Sequence, residues 1–483
     1  MKSIIIAAPH SGSGKTTVAL GIMECLKRHG LTVAPFKVGP DFIDPGYHGV
    51  VTGRTSINLD GWMCGAEFVE ETFACHVQDA DVAVIEGVMG LYDGIGGVSD
   101  EGSTAQVAKL LGASVILVVD AKCQARSAAA LVKGFAEFDP QVRVVGVIFN
   151  NVGSDNHARI LREAVEAAVA EVKVLGCLPR DERLNIPSRH LGLLTADENP
   201  LPETFLGHLA EAVEMHVDVD GIVNVGATPC GCPKPGRPRR AAPTENPVRI
   251  AVARDEAFCF VYEDNLRLLR EAGASIVEFS PLRDAYLPAD VAGIYLPGGY
   301  PEVFADILAA NEGMKQSIRE AIDNGMPAYA ECGGFVYLTQ GVVGAGLAPA
   351  QSGHPQGAPL HEMVGIFLVM TRMLPKRKAL GYREVELTAD AIIGSTGAVA
   401  RGHEFHYSEM GAMPAHVERV YLVRKNGIDL GHEGYRYKNC LASYIHLHFG
   451  SCPGMAAAFV ESCRKYKAKI KSMEHGKILT LFR

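Results

Sequence analysis

The sequence predicts an α/β protein of two domains, each a sheet wound with helices. Three observations carry that reading. Short β-branched apolar runs alternate with helical stretches through the first half, a Pro- and Gly-rich segment interrupts the chain at Gly226–Pro247, and the same rhythm then restarts. At about 150 residues per domain, 483 residues allow two to four domains.

Runs that are apolar throughout belong to strands covered on both faces of a parallel sheet. In order they are Ser3–Ala8, Thr32–Val38, Asp81–Glu86, Ser114–Asp120 and Arg143–Asn150, with Thr16–Arg28 and Arg159–Glu171 read as helices. Gly226–Pro247 has linker chemistry. Its Cys230 and Cys232 form a lone C-x-C, two ligands short of a metal site. Beyond it Val248–Arg254, Ser275–Phe279 and Gly293–Leu296 read as strands and Tyr262–Ala272 as a helix. Gly381–Leu387 and Arg419–Val423 point to an antiparallel portion. The basic end Arg464–Arg483 reads as a solvated helix or disordered tail, an anionic partner being the second choice. The domains are therefore expected at 1–225 and 248–463, joined by 226–247 and followed by a tail at 464–483.

The balance of 46 basic against 55 acidic residues, a formal charge of -9, argues against a nucleic-acid binder. No run approaches the ~20 apolar residues a bilayer demands. The apolar start feeds a Gly/Ser/Lys turn instead of a cleavage site, so it reads as strand one. Twelve scattered cysteines in so large a chain suit a reducing cytoplasm better than a disulfide framework.

Strand one runs into Ser11-Gly12-Ser13-Gly14-Lys15-Thr16-Thr17 and then a helix. Small residues let backbone N–H groups curl round phosphates, a Lys reaches the terminal phosphates, and the next Thr offers its hydroxyl to Mg²⁺. Gly12, Ser13, Gly14, Lys15, Thr16 and Thr17 are accordingly the expected phosphate contacts. Pro9 stands where the usual loop has its first Gly, so the loop entry must differ. Acids at neighbouring strand ends should complete a Mg²⁺ site. Thr16, Asp41 and Glu86 are the expected set, with Asp44 and Asp93 facing the reacting end. Asp44, before Pro45, also suits a helix cap.

A second chemistry is written further on. Gly325–Phe335, which contains Ala330-Glu331-Cys332-Gly333-Gly334, reads as strand, sharp turn and helix. Such an elbow presents a nucleophile, lets flanking N–H groups form an oxyanion hole, and lowers the thiol pKa at a helix N-terminus. Leu296-Pro297-Gly298-Gly299 is a second glycine turn able to supply an oxyanion donor. Ser443-Tyr444-Ile445-His446-Leu447-His448 offers two histidines on an alternating pattern, His446 as base and His448 as its orienter. In Gly402-His403-Glu404-Phe405-His406-Tyr407-Ser408 no third ligand stands at zinc spacing, so a substrate-lining or hydrogen-bonded role is expected.

With these motifs in hand, the chain resembles a known family. A-E-C-G-G at 330–334, L-P-G-G-Y-P-E at 296–302 and S-Y-I-H at 443–446 are similar to a class I glutamine amidotransferase domain, whose usual Glu two residues after the His is here His448. The first half resembles the dethiobiotin-synthetase-like ATPases. K-V-G-P-D-F-I-D-P-G-Y-H at 37–48, T-G-R-T-S-I-N-L-D at 52–60, E-G-V-M-G-L-Y-D-G at 86–94, G-Y-R-E-V-E at 381–386 and R-G-H-E-F-H-Y-S at 401–408 together resemble the cobyrinate a,c-diamide synthase family.

The resemblance implies a P-loop NTPase-like parallel sheet joined to a class I glutaminase α/β domain. It implies ATP and Mg²⁺ as cofactors, glutamine as nitrogen donor, and a polycarboxylate tetrapyrrole, cobyrinic acid, as acceptor. Carboxylates would be activated as acyl phosphates, and ammonia released at Cys332 would displace phosphate along a sheltered route. Lys37 and Arg54 are offered as acceptor contacts against the acidic net charge. Sirohydrochlorin or its nickel form stays open as the acceptor, a homodimer is allowed, and a partitioning-type regulatory ATPase would leave Cys332 and His446 unexplained.

Overall fold

The computed structural model describes residues 2–186, 188–189, 192–193, 195–196, 198, 200–226, 247–344 and 360–481. The chain divides into two compact units, Met1–Pro238 and Arg239–Arg483. Residues 227–246 of the segment read as a linker, with Cys230 and Cys232, lie outside the described residues.

In the first unit β1 (Lys2–Ala7), β2 (Val33–Val38), β3 (Ile57–Leu59), β4 (Val82–Glu86), β5 (Ser114–Asp120), β6 (Val144–Val152) and β7 (Lys173–Pro179) form one sheet. Its order is β3-β2-β4-β1-β5-β6-β7, and every neighbouring pair is parallel. The apolar runs follow from that position. Ile5 of β1 enters one core while Ile4 and Ile6 enter the other, so both faces of the strand must be greasy. The helices are α1 (Lys15–Arg28), α2 (Asp44–Thr52), α3 (Gly61–His76), α4 (Thr104–Leu111), α5 (Ser127–Glu137), α6 (Asp155–Ala168), α7 (Glu203–His216) and α8 (Val219–Val225). Asp60, Ser103 and Ser154 cap α3, α4 and α6 by accepting from Met63, Gln106 and His157 N–H. The two-residue strands β8 (Ser188–Arg189) and β9 (Gly192–Leu193) pair as a small ribbon. Because β1 is flanked by β4 and β5, successive crossovers leave it in opposite directions, and the crevice for a ligand lies beyond the carboxyl ends of these strands.

The second unit begins with β10 (Val248–Ala253), α9 (Glu263–Glu271), β11 (Ala274–Phe279), β12 (Gly293–Leu296), α10 (Ala305–Ala310), α11 (Glu312–Asp323), β13 (Ala328–Glu331) and α12 (Gly333–Leu338). It continues through β14 (Thr339–Val343), β15 (Leu360–Glu362), β16 (Phe367–Met373), β17 (Ala379–Leu387), β18 (Val399–His406), β19 (Ser408–Met410) and β20 (Glu418–Lys425). It ends with β21 (Ile428–Tyr437), β22 (Cys440–Ser443), β23 (His446–Leu447) and α13 (Gly454–Leu481). The main sheet runs β11-β10-β12-β13-β22-β21-β20-β17-β18-β23, and a second runs β15-β14-β16-β19. Strands β11 to β22 are parallel neighbours, whereas those from β22 to β23 are antiparallel. The expected antiparallel portion is the β17–β20 pair. Only Tyr444 and Ile445 separate β22 from β23, so the antiparallel half curls back on itself and returns β18 to the mouth of β13. The basic end continues α13 as far as Leu481. No helix among the described residues is long and apolar enough to cross a membrane.

Candidate active sites

In the first unit the turn from β1 into α1 holds Gly12 at φ +87° and Gly14 at φ +90°, a region that suits glycine. A side chain on Gly14 would also meet Asn150 Nδ2 at 2.2 Å. That amide, from β6, donates to Ser13 O at 3.1 Å and fixes the loop from behind, while Ser13 Oγ donates to His10 O at 2.9 Å. Gly14 sits at the N-cap with no side chain to satisfy the first-turn N–H groups of α1, leaving them to an external acceptor. Lys15 Nζ donates to Met89 O at 2.6 Å; burial, then the charge of Lys37, pulls its pKa below the usual lysine range. Thr16 and Thr17 follow on the first turn of α1.

The register of the sheet explains the rest. Glu86 is paired with Ile6 on one side and Lys37 on the other, so the acid stands directly behind the loop. Glu86 Oε1 accepts from Thr16 Oγ1 at 2.7 Å and from Lys37 Nζ at 3.0 Å. Its Oε2 meets His48 Nε2 at 2.8 Å, and His48 Nδ1 lies 2.9 Å from Ser56 Oγ. Lys37 Nζ also reaches Asp44 Oδ2 at 2.5 Å and Gly87 O at 3.2 Å. Burial opposes charge on Lys37 and Glu86, but Asp44 and Glu86 outweigh it for the lysine, and Lys37 and His48 do so for the acid. Lys37 is thus held protonated and Glu86 ionised.

Several expected roles change here. Asp41, expected beside Mg²⁺, accepts through Oδ1 from Ile43 and Asp44 N–H at 2.8 and 3.1 Å, which shapes the turn into α2, while its Oδ2 lies 3.9 Å from Lys37 Nζ at the edge of the same cluster. Asp44, expected at the reacting end with a helix cap as the alternative, accepts from Lys37, lies 3.5 Å from Thr16 Oγ1 and leaves Oδ1 buried without a hydrogen-bond partner. Burial, with Asp41 and Glu86 nearby, lifts its pKa well above the carboxylate range. Such crowded oxygens fit a dication, and Thr16, Asp44 and Glu86 are hard donors of the kind Mg²⁺ accepts. Among the described residues no three His, Cys, Asp or Glu side chains are arranged to hold a metal alone, so phosphate oxygens would have to complete the shell. Lys37 is buried inside the acid cluster and neutralises it, rather than reaching out to an acceptor. Arg54 forks onto Asp79 at 2.7 and 3.0 Å on the surface, so it too departs from its expected role. Asp93 accepts from Gly90 N–H at 3.0 Å and lies within the field of Lys15. His48 and Asn150 carried no assigned role in the sequence; only the placement of Asn150 at a strand end hinted at one.

In the second unit Cys332 occupies the elbow between β13 and α12 at φ +46°, a strained conformation for a residue with a side chain. Glycines make room for it. A Cβ on Gly334 would lie 2.1 Å from Leu296 O, one on Gly333 2.9 Å from Gly299 N, and one on Gly298 2.2 Å from His446 Cε1. The two glycine turns and the histidine therefore meet at the nucleophile. Cys332 Sγ approaches Phe405 O at 3.7 Å. A pocket opens over it, its walls including Tyr300, Glu302, Phe405, His406 and Ser408. His406 is fixed by Ser408 O at 2.7 Å and Glu404 at 2.9 Å, and Glu404 pairs with Arg383 at 2.7 Å. These are the hydrogen-bonded roles foreseen for the 402–408 motif.

The surroundings of the Cys332 thiol disfavour the thiolate. Burial, aided by Glu302, pushes its pKa up, and α12 is only six residues long, so the expected lowering at a helix N-terminus is overridden. Burial likewise pulls the His446 imidazole down to about 3. The orienting role expected of His448 is also displaced. β23 ends at Leu447, so strict alternation stops before His448, whose Nδ1 accepts from Gly450 N–H at 3.1 Å while its ring packs on Tyr262. The acid beside His446 Nδ1 is Glu331, with Oε2 at 4.0 Å.

Two family models match the chain: the CobQ/CobB/MinD/ParA nucleotide binding domain over residues 4–194 and the CobB/CobQ-like glutamine amidotransferase domain over 249–453. The chain is 45% identical over 466 residues to a cobyrinate a,c-diamide synthase of Syntrophotalea carbinolica, covering 95% of this chain and 98% of the relative. It is 41% identical over 470 residues to the enzyme of that name from Priestia megaterium, covering 96% and 98%. A hydrogenobyrinate a,c-diamide synthase of Streptomyces coelicolor is 42% identical over 498 residues, covering 95% and 97%.

Two substitutions check these placements. Gly334→Ala forces a methyl group against the Leu296 carbonyl and should cost about 1–3 kcal/mol, read as a lowered urea midpoint. Arg54→Ala, removing a surface pair, should leave the acceptor KM within about twofold of wild type; a tenfold rise would restore it as a substrate contact.

Proposed function

Because the chain belongs to the cobyrinate a,c-diamide synthase family, we propose that it amidates the a- and c-acetate carboxylates of cobyrinic acid in cobalamin biosynthesis, using ATP and glutamine. The observation that carries this reading is the pairing of two chemistries in one chain. One is a phosphate loop backed by buried acids; the other is a cysteine elbow whose neighbouring glycine turn, Gly298–Gly299, packs close to His446. ATP and glutamine are cytoplasmic metabolites, and a cytoplasmic location follows from them.

In the first unit the acceptor carboxylate attacks the γ-phosphorus of ATP, giving an acyl phosphate and ADP. The first-turn N–H groups of α1 and the Lys15 ammonium hold the phosphates and spread the charge that moves toward the β–γ bridge. A Mg²⁺ ion at Thr16, Asp44 and Glu86 would supply further charge neutralisation on the same oxygens. Lys37 and His48 keep Glu86 ionised and fixed for that task. Ammonia then attacks the acyl carbon and phosphate leaves, which completes the amide.

In the second unit Cys332 passes its proton to His446 and attacks the carboxamide carbon of glutamine. N–H groups at the elbow and at Gly299 would suit the oxyanion, the two turns lying so close that a side chain on Gly333 would meet Gly299 N. The imidazolium protonates the amino group of the tetrahedral intermediate, which leaves as ammonia, and water hydrolyses the thioester to glutamate. With thiol and imidazole both neutral at rest, the ion pair forms only when glutamine fills the pocket and excludes water.

The relative from Streptomyces coelicolor, named for hydrogenobyrinate, favours a second acceptor, the metal-free ring. Mass spectrometry of cobyrinate, hydrogenobyrinate, sirohydrochlorin and nickel-sirohydrochlorin incubated with enzyme, ATP and glutamine identifies the acceptor and the number of carboxyls converted. No mass change on any of them would refute the proposal. Cys332→Ala should lose glutamine-dependent amidation and keep the ammonium-dependent reaction; loss of both in a folded protein would defeat the two-site scheme. Lys15→Ala should cut amide formation by ~10²-fold or more while glutamate release persists, and undiminished ligase turnover would remove the loop from the mechanism.

A further inference from the structure

Glu331 immediately precedes the nucleophile and has no part in the chemistry above. The alternation of β13 sends Ala330 into one core and Tyr329 into the other, so Glu331 leaves the strand on the side of Tyr329 and of Tyr295 from β12. There Tyr295 donates its hydroxyl to Oε2 at 2.8 Å and Tyr329 donates to Oε1 at 2.7 Å. Leu447 N–H donates to Oε1 at 2.8 Å. Through that last bond Glu331 pins the backbone next to His446, and Oε2 faces the imidazole Nδ1 at 4.0 Å. Both side chains are buried, 1% and 2% exposed.

We propose that Glu331 is the positioning residue of the glutaminase, holding the His446 ring and carrying the counter-charge for its imidazolium; this rests on the reading of Cys332 and His446 given above. The proton step then balances. The Cys332 Sγ–H bond breaks, an N–H bond forms at His446 Nε2, and the Nδ1–H stays on the ring and donates to the Glu331 carboxylate. At 4.0 Å the contact is an ion-pair distance, and catalytic hydrogen bonds of this kind tighten in the substrate complex. The need for a counter-charge is plain, because burial and then the neighbours His403 and His406 on β18 hold the imidazole far too low to take a thiol proton. His448, two residues on, is turned away to Gly450 and Tyr262.

Burial raises the Glu331 carboxyl to about 7 against the pull of its Tyr329, Leu447 and Tyr295 donors. The titratable groups facing it are Tyr295 of β12, Tyr329 of its own strand, Tyr421 of β20, Cys332 and His446. Since the charged form does the work, glutaminase kcat/KM should rise as pH increases through about 7 and fall away below it.

The test is glutamate release from glutamine by the full chain across pH, comparing wild type with Glu331→Gln, Tyr295→Phe and Cys332→Ala. For Glu331→Gln the expected result is a kcat lower by ~10²–10⁴-fold, with glutamine KM within about twofold and the rising limb near neutrality gone. Tyr295→Phe removes a donor from the carboxylate, so its limb should move to higher pH. Either near-wild-type kcat or a lowered kcat with the limb unmoved overturns the proposal, the latter being what a merely structural role would give. If Glu331→Gln fails to fold by circular dichroism, Tyr295→Phe decides: a shifted limb supports the proposal, and an unmoved one overturns it. Residual glutaminase in Cys332→Ala would instead defeat the underlying reading, whereas an inactive Cys332→Ala beside an unaltered Glu331→Gln defeats only the role of Glu331.

Discussion

A charge taken out of water must be answered by an opposite charge or by hydrogen bonds. Both sites of this chain are arranged around that constraint. In the first unit Glu86 is fully buried at the end of β4, and Lys37, His48 and Thr16 answer it from three different elements. Removing any one partner would leave the acid under-compensated, so the phosphate loop, β2 and α2 are locked to one another by electrostatics as much as by packing. Asp44 is the member still crowded, and its unpartnered oxygen marks where further positive charge belongs. In the second unit the burden is deferred. Burial disfavours charge on both Cys332 and His446, and the proposed proton transfer would create their two charges together.

Much of this was legible in the sequence wherever the information is local. Ser11–Thr17 and Ala330–Gly334 each fit within one strand-turn-helix, and the glycines that such turns require stand in the sequence in the required order. Strand identity was equally readable, because a strand covered on both faces must be apolar throughout. What failed was the choice between near neighbours. Asp41 and Asp44 lie one helical turn apart, and only the folded turn decides that Asp41 shapes it while Asp44 faces Thr16. His448 shares the alternation of His446 on paper, yet the strand ends at Leu447 and the next residue follows a different backbone path. Lys37 and Arg54 were read as outward cations, but burial claims one and a surface carboxylate the other.

The companion of His446 was hidden for a different reason. Glu331 and His446 are 115 positions apart, and their meeting depends on two pairings at once. β13 must lie beside β22, and the antiparallel half must curl so that β23 reaches β18. No local pattern encodes that closure. It also explains why the 402–408 motif forms the wall above Cys332: the strand opposite His446 brings Phe405 and His406 with it.

The same burial that raises the Cys332 pKa offers control over reactivity on the proposed scheme. Thiolate, not thiol, is the form that reacts with electrophiles and oxidants. A thiol whose pKa is raised by burial is protected between turnovers, although its elbow backbone remains strained and presented to the pocket. On the proposed scheme glutamine would supply the missing condition by excluding water and offering an oxyanion to the surrounding N–H groups, so that nucleophilicity would appear only with substrate in place. If the first unit makes an unstable acyl phosphate as proposed, it would benefit from a nitrogen source of that kind, because ammonia released without demand would be protonated and lost to water. Charge suppression in one unit and charge compensation in the other are thus two solutions to one physical problem, each matched to when its charge is needed.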